Sequence, residues 1–419
     1  MVQHSIDLRR DPAGEQGGDR PRRSRRMTLR SVTTAVMLAL AAVGSAPAAI
    51  AQPVAAARAP ALLPLEQAFM KAATDLFARL PAGDGEVTMV IDPLIDGVTG
   101  IQSAATRGFD RRIAELVAER YPHVKVLAFT PENVAKARFV FIGTFNTINN
   151  AGQPGGDRDA FWICFALVER EAKTVYARSV ARSTVGDVDI APAASHADSP
   201  VWGLDAATRA YIEACQRSQP GTPVSPAYLD QLGAAARIRE AGAAYEAGDH
   251  RRARDLYREA QAQPGGDQLR VLNGLYLSYA ALGETGAADE TFGQMVERGF
   301  SLGRLGVKFL FEPNSTAFNA DRKLSASYPA WLREIAMRAS VCLEVVGHAS
   351  RTGPETLNDR LSRERAERIA GLMSSQAPGM SQRLRATGVG FRETLVGLPR
   401  DDASTAVDRR VEFKTAPCA

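Results

Sequence analysis

Between Val307 and Lys414, apolar runs of strand length alternate with amphipathic runs of helix length. VKFLFEPNSTAF opens the stretch, VCLEVVGHASRTG leads into NDRLSRERAERI, and RATGVGF and DRRVEFK close it. A sheet needs the short runs and helices packed on it need the long ones, so the stretch is confined to a small α/β sandwich. Its first strand is expected over Val307–Phe311, ending in the turn Glu312-Pro313-Asn314-Ser315. A helix capped by Asn319 or Asp321 then runs to about Arg338, with Leu324, Tyr328, Trp331, Leu332 and Ile335 as its buried face. Val341–Gly347 reads as the second strand, Thr352-Gly353-Pro354 as a turn, and about Glu355 to Ser374 as a long helix.

That long helix carries the most informative residue. Leu357, Leu361, Ile369 and Leu372 form one stripe, and Arg365 stands in it, four residues from Leu361 and four from Ile369. A cation on a buried face needs an anionic partner, or its desolvation is uncompensated. One solution is an internal salt bridge to Asp408 or Glu412 near the last strand; the other is a ligand. Arg360, Arg363 and Arg368 have Glu364 or Asp359 at helical spacing and read as a solvated face.

The spaced blocks GHASRTG…N…LS..RA and the closing Arg409-Arg410-Val411-Glu412 resemble the OmpA-type peptidoglycan-associating domain, over about a quarter of the chain. The resemblance implies that Arg365 holds the carboxylate of the diaminopimelate residue in peptidoglycan stem peptides, with Asn358, Asn314 and His348 in the same pocket. It also implies an aspartate at position 350 to meet the ligand's ammonium. Here the phrase is Gly347-His348-Ala349-Ser350, and the charge is missing. Losing one partner of a desolvated charge pair costs roughly 2–5 kcal/mol, about thirty- to several-thousand-fold in affinity. Three outcomes follow: weak binding, a shift to another anion, or a nearby residue that supplies the charge. Arg409 and Arg410 are read as structural, one of them bracing the loop before the last strand.

Charge excludes one class of partner. The first 51 residues carry eight Arg and four Asp or Glu, and without them 43 basic residues face 43 acidic ones. A neutral body offers no field for nucleic acid or acidic lipid. The segment 1–51 itself reads as a cleaved export signal: RPRRSRRMTLR, a modest apolar stretch from Ser31 to Val43, and Ala49-Ile50-Ala51 before Gln52. Ser24–Arg30 resembles a twin-arginine signal, although a start at Met27 would leave an ordinary secretory one. The apolar run is too short and too rich in Ala, Gly and Thr for a membrane span. In an oxidising compartment Cys164, Cys215, Cys342 and Cys418 suggest disulfides, with three pairings open. Cys164–Cys215 with Cys342–Cys418 is favoured, because neither bridge then crosses between the halves of the chain.

After a leader at 52–61, residues 62–184 read as an α+β domain. A helix from Leu62 to Leu80, strands at Val87–Ile91 and Val124–Phe129, a helix at Phe109–Tyr121, and the strand-rich FVFIGTFN, FWICFALV and TVYARSV make up its order. The order, with VIDPLIDG and FVFIGTFN, is similar to the small domain of TolB, CsgG and LpoB-type activators. Asp92, Asp96 and Asp110 read as turn and capping residues, and His123 and His250 are isolated. Residues 185–227 read as a linker with one docked helix, Leu204–Arg217. In 228–300 Gly248 recurs as Gly283, Ala253 as Ala288 and Tyr257 as Phe292, each 35 residues on. AAYEAGDHRRARDLYREA and LSYAALGETGAADETFGQM resemble tetratricopeptide repeats, a groove for a partner or a rigid spacer. Two units fall short of a free solenoid and should lean on a neighbour.

The expected fold is therefore multidomain α+β: an α+β amino-terminal domain, a short all-α helical-repeat segment at 228–300, and a carboxyl-terminal OmpA-like α/β sandwich at 301–419. No nucleophile elbow, phosphate loop, HExxH or paired acid and base stands out, so no enzyme, cofactor or metal is implied. The expected function is a periplasmic, non-catalytic tether associated with peptidoglycan or the outer membrane, with residues 62–300 recruiting an envelope protein. The alternatives are a regulator of an envelope enzyme such as a peptidoglycan synthase, or an OmpA-like module that has lost its ligand.

Overall fold

The computed structural model describes residues 60–81, 85–149, 151–153, 155–186, 188–312, 314–319 and 323–418. The export segment, nearly all of the leader and the cap candidate Asp321 lie outside them. Among the described residues no helix is long and apolar enough to cross a membrane.

The first sheet is built from β1 (Leu62–Leu63), β2 (Val87–Ile91), β3 (Val124–Leu127), β4 (Phe139–Ile148), β5 (Ala160–Glu169) and β6 (Thr174–Thr184), in the order β1-β6-β5-β4-β2-β3. β4, β5 and β6 pair antiparallel, while β2 runs parallel to both β3 and β4. Alternate residues of β4 explain its two-sided character. Phe139, Phe141 and Phe145 pack under α1 (Leu65–Phe77) and α2 (Ala104–Arg120), with Phe69 and Phe109. Val140 and Ile142 face the other way. Both faces are covered, so the strand is apolar throughout instead of alternating. The helix expected from Phe109 begins earlier because Ser103 and Thr106 form a reciprocal capping box.

The second face is covered by the segments that follow: α3 (Pro131–Lys136), α4 (Ala194–Ala197), β7 (Val201–Trp202), α5 (Ala206–Gln216), α6 (Pro226–Leu229) and the start of α7 (Leu232–Glu246). Of these, α5 places Ala210, Tyr211 and Ala214 on the sheet, and Tyr211 Oη donates 3.0 Å to the Gly143 carbonyl in the middle of β4. The Cys164–Cys215 disulfide ties α5 to β5. The docked helix of 185–227 therefore supplies a missing layer. Buried Asp92 accepts from Tyr228 Oη at 2.9 Å, and buried Asp110 from the Leu94 amide at 3.0 Å. Burial pushes their carboxyls up, to about 6 and about 7, against the pull of nearby arginines. Asp96 caps its own turn, accepting from the amides of Val98 and Thr99.

Helix α7 pairs with α8 (His250–Gln261), and α9 (Leu269–Ala281) pairs with α10 (Thr285–Ser301). Gly248 and Gly283 end the first helix of each hairpin at φ +80° and +74°, a left-handed turn that favours glycine. Between the hairpins Tyr257 lies flat on Gly274, where an added Cβ would come within 2.1 Å of the ring.

The second sheet comprises β8 (Arg304–Val307), β9 (Cys342–Gly347), β10 (Leu384–Gly388) and β11 (Val411–Ala416), ordered β10-β9-β11-β8-β7. β7 comes from the stretch read as linker, pairs with β8, and is held by Asn273 of α9 through both its amide and carbonyl at Val201. The first strand was expected at Val307–Phe311. The pairing with β11 instead ends at Val307, the Lys308 amide adds one more bond on the β7 side, to the Pro200 carbonyl, and Phe309 is buried in the core. Helix α11 (Tyr328–Arg338) follows a turn of 3₁₀ helix at Lys323–Ser327, so its cap is Ser327 and not Asn319. Helix α12 (Glu355–Gln376) covers β9 and β10. The Cys342–Cys418 disulfide joins the two ends of β9 and β11.

The hairpins and the second sheet share one core. Trp331 of α11 stacks on Phe292 of α10 at 5.1 Å, and its Nε1 donates 3.0 Å to Tyr276 Oη of α9. The described residues thus belong to one compact unit.

Two consequences are measurable. Gly274→Ala should lower stability by about 1–3 kcal/mol, because the buried Tyr257 ring cannot move aside. In a chemical-denaturation double-mutant cycle, Tyr257→Leu should cancel part of that loss. The raised carboxyls bind protons more tightly folded than unfolded, so their stabilising contribution is complete below about pH 4 and is lost as pH climbs through about 7. Asp110→Asn should therefore gain on the wild type by about 2 kcal/mol between pH 5 and pH 8. Parallel stability–pH curves for the two proteins would refute it.

Candidate ligand-binding site

Helix α12 buries Leu361, Ala366, Ile369 and Met373 along the second sheet, and its 3.6-residue period carries Arg365 to the same side. Arg365 is 6% exposed. Neither carboxylate considered in the sequence neutralises it. Asp408 instead accepts the amides of Leu395, Val396 and Gly397, at 2.6–3.0 Å. Glu412 is taken by Arg410 and Arg304. Arg365 donates through Nε to the Ser315 carbonyl at 3.1 Å and through Nη2 to the Glu312 carbonyl at 3.2 Å. Its guanidinium carbon lies 4.8 Å above the Phe311 ring. Nη1 has no partner among the described residues, yet it is not one of the unpartnered atoms sealed from solvent. Burial, then Arg409, lowers the group to about 10, which leaves it charged at neutral pH.

The loop that Arg365 grips contains Asn314, exposed and left-handed at φ +51°. An asparagine tolerates that backbone, and it presents the Glu312 and Ser315 carbonyls to one guanidinium. Asn358, one turn into α12, donates through Nδ2 to the carbonyls of Thr352 and Pro354, at 2.9 and 3.3 Å. Its amide thus fixes the turn that follows Ser350.

Ser350 is buried, and its Oγ donates to Asp401 Oδ1 at 3.5 Å. The same carboxylate pairs with Arg409 and raises the proton affinity of Arg365. Asp401 was not singled out in the sequence. It lies 51 residues beyond Ser350, in a loop whose course only the fold reveals. Arg409 also donates to Thr405 Oγ1 and the Asp402 carbonyl, bracing the loop before β11. The structure thus brings together Arg365, Arg409, Asp401 and Ser350, with Asn314 and Asn358 in supporting loops.

His348 stands elsewhere. Its side chain is 1% exposed and sits 3.7 Å from Glu412. Burial, then Arg410, Lys414 and Arg304, pushes it down to about 2, so it is neutral. Arg410 donates through Nε to Glu412 at 2.8 Å and lies over the Trp202 ring of β7. One ligand atom each from His348, Glu393 and Glu412 falls within 4.8 Å of the others, as a metal site would require. Arg410 and Arg304 already neutralise Glu412, and Lys414 pairs with Glu393, so the field repels a dication.

The loop between β10 and β11 also meets the first sheet. Thr147 Oγ1 donates to the Val396 carbonyl, Arg158 to that of Thr394, and Arg400 to those of Gly186 and Val188. Arg351, next to Ser350, pairs with Asp157 in the β4–β5 connection.

No protein-family model matches the chain, and no curated protein matches it. Among solved structures, it is similar to the OmpA-like domain of FopA1 from Francisella tularensis, at 22% identity over 28% of this chain and 75% of that one, with a TM-score of 0.22. It is similar to the peptidoglycan-associated lipoprotein from Burkholderia pseudomallei, at 23% identity over 26% of this chain and 89% of that one, with a TM-score of 0.22. It is also similar to the cell wall anchor of the T6SS from Pseudomonas aeruginosa, at 18% identity over 30% of this chain and 96% of that one, with a TM-score of 0.24.

Proposed function

We propose that this is an exported, non-catalytic envelope protein that associates with peptidoglycan through residues 301–419 and engages an envelope protein through residues 62–300. Arg365 carries the reading. It is a desolvated guanidinium with two donors on backbone carbonyls and, among the described residues, none on a carboxylate. Five N–H groups on a planar fork leave three for a ligand, two of them parallel at the Nη end. An incoming carboxylate can take both as charge-assisted bonds, which suits the diaminopimelate residue of a stem peptide.

The ligand's ammonium needs an acid. Ser350 cannot supply one, but it holds Asp401, so the negative charge stands beside the same turn and comes from another segment. A second reading has its own support. Asp401 is already paired with Arg409, and in that state the acid is not free for an ammonium. The carboxyl-terminal half would then serve as a structural or protein-interaction module.

Co-sedimentation of a chain beginning at Gln52 with isolated sacculi separates the two. Arg365→Ala should reduce bound protein by at least about thirtyfold in affinity, the cost of removing one member of a desolvated pair. Asp401→Asn should weaken binding in the same direction, and Ser350→Asp should tighten it. Pelleting that is unchanged in Arg365→Ala, with an unaltered melting curve, would defeat the proposal.

A further inference from the structure

A cavity of about 280 Å³ lies between the first sheet's layer and the helical hairpins, and Arg365 is not part of its lining. Arginines enter it from three helices: Arg107 and Arg111 of α2, Arg239 of α7 and Arg270 of α9. Among the described residues only Arg107 of these four has a carboxylate partner, Glu246. Arg270 donates to the side chains of Gln268 and Gln231, which carry no charge. Arg111 and Arg239 are exposed, and neither has a hydrogen bond or ion pair among the described residues. The floor holds Asp92 and Asp110, both buried, and their fields reach Arg239. Asp110 is satisfied by the Leu94 amide and the Gln102 side chain, whereas one oxygen of Asp92 takes no donor among the described residues.

We infer that this cavity binds a small anion with two or more phosphate or carboxylate groups, bridging Arg111, Arg239 and Arg270. Three guanidiniums that have no ion pair to a carboxylate among the described residues line one concavity, and a planar fork favours such oxyanions. Because the arginines come from α2, α7 and α9, the anion would clamp the hairpins to the α+β layer.

The buried carboxyls make the binding pH-dependent. Below pH 6 both are largely protonated and the cavity is most positive; by pH 8 both are ionised and oppose the anion. The other titratable groups facing it keep their charge over that range. Desolvation, then Arg270 and Arg107, lowers His196 of α4 to about 4, and burial raises Tyr257 of α8. Burial works to raise Glu246, but Arg107 and Ser195 outweigh it and hold that carboxyl low.

Calorimetric titration of the chain from Gln52 with inorganic pyrophosphate, and separately with citrate, tests the site and distinguishes the two anion chemistries. Binding of at least one is expected, and the ratio of wild-type to Asp110→Asn affinity should fall from pH 6 to pH 8, a comparison in which the anion's own ionisation cancels. Arg239→Gln and Arg111→Gln should each lower affinity at least about tenfold, the worth of one charge-assisted contact. Arg251→Gln, an exposed change outside the cavity, should leave it unaltered. Both cavity arginines are exposed, so these variants keep the fold, which melting curves verify. Absence of binding by either anion, or binding unchanged in both cavity variants, overturns the inference. The outcome is independent of peptidoglycan sedimentation, which neither variant should alter.

Discussion

The apolar core that passes from the helical hairpins into the second sheet is the constraint on which the rest of the structure depends. Two hairpins cannot bury their faces alone. Trp331 resolves this by lying against Phe292 while its indole nitrogen is satisfied by Tyr276, so neither half has an independent boundary there. A buried Trp with its N–H bonded is both packing and specification, because a slipped helix would strand the donor. The helix that carries Arg365 belongs to the same core, because α11 and α12 both bury side chains in it.

Local patterns in the sequence were legible where one force dominated. The 35-residue recurrence of Gly248 and Gly283 reported two equivalent helix ends, and both glycines hold left-handed backbone. The period of α12 correctly placed Arg365 among buried residues. The even cysteines pair within each half, as favoured. Illegible features were those decided by distant segments. Asp401 reaches Ser350 only because the loop before β11 folds back over the turn after β9. β7 is two residues in an Ala- and Pro-rich stretch, with no periodicity to announce it, and its strand character comes from β8 and Asn273. The extent of β8, Arg304–Val307, likewise follows its pairing with β11 and β7 rather than any signal in VKFLF.

The two charged sites use burial in opposite ways. At Arg365, backbone carbonyls solvate the cation in place of water, so the positive charge persists at small cost in counter-charge. At Asp92 and Asp110, desolvation lifts the carboxyls toward neutrality, and nearby arginines restrain that shift without completing ion pairs. The Arg410–Glu412 pair, with Arg304 beside it, is a third arrangement, in which one buried acid faces two guanidiniums and links β8 to β11.

β7 has a consequence for how the molecule can be divided. It sits on the outer edge of β8 and brings Trp202 over the Arg410 guanidinium. A fragment cut at the apparent module border near residue 301 would bare a row of unsatisfied backbone donors and acceptors along β8. It would also uncover a charged group that normally lies beneath an indole. Excised fragments of this half would therefore be self-adhesive, and the segment resembling a tether between modules is better regarded as the sheet's own selvage.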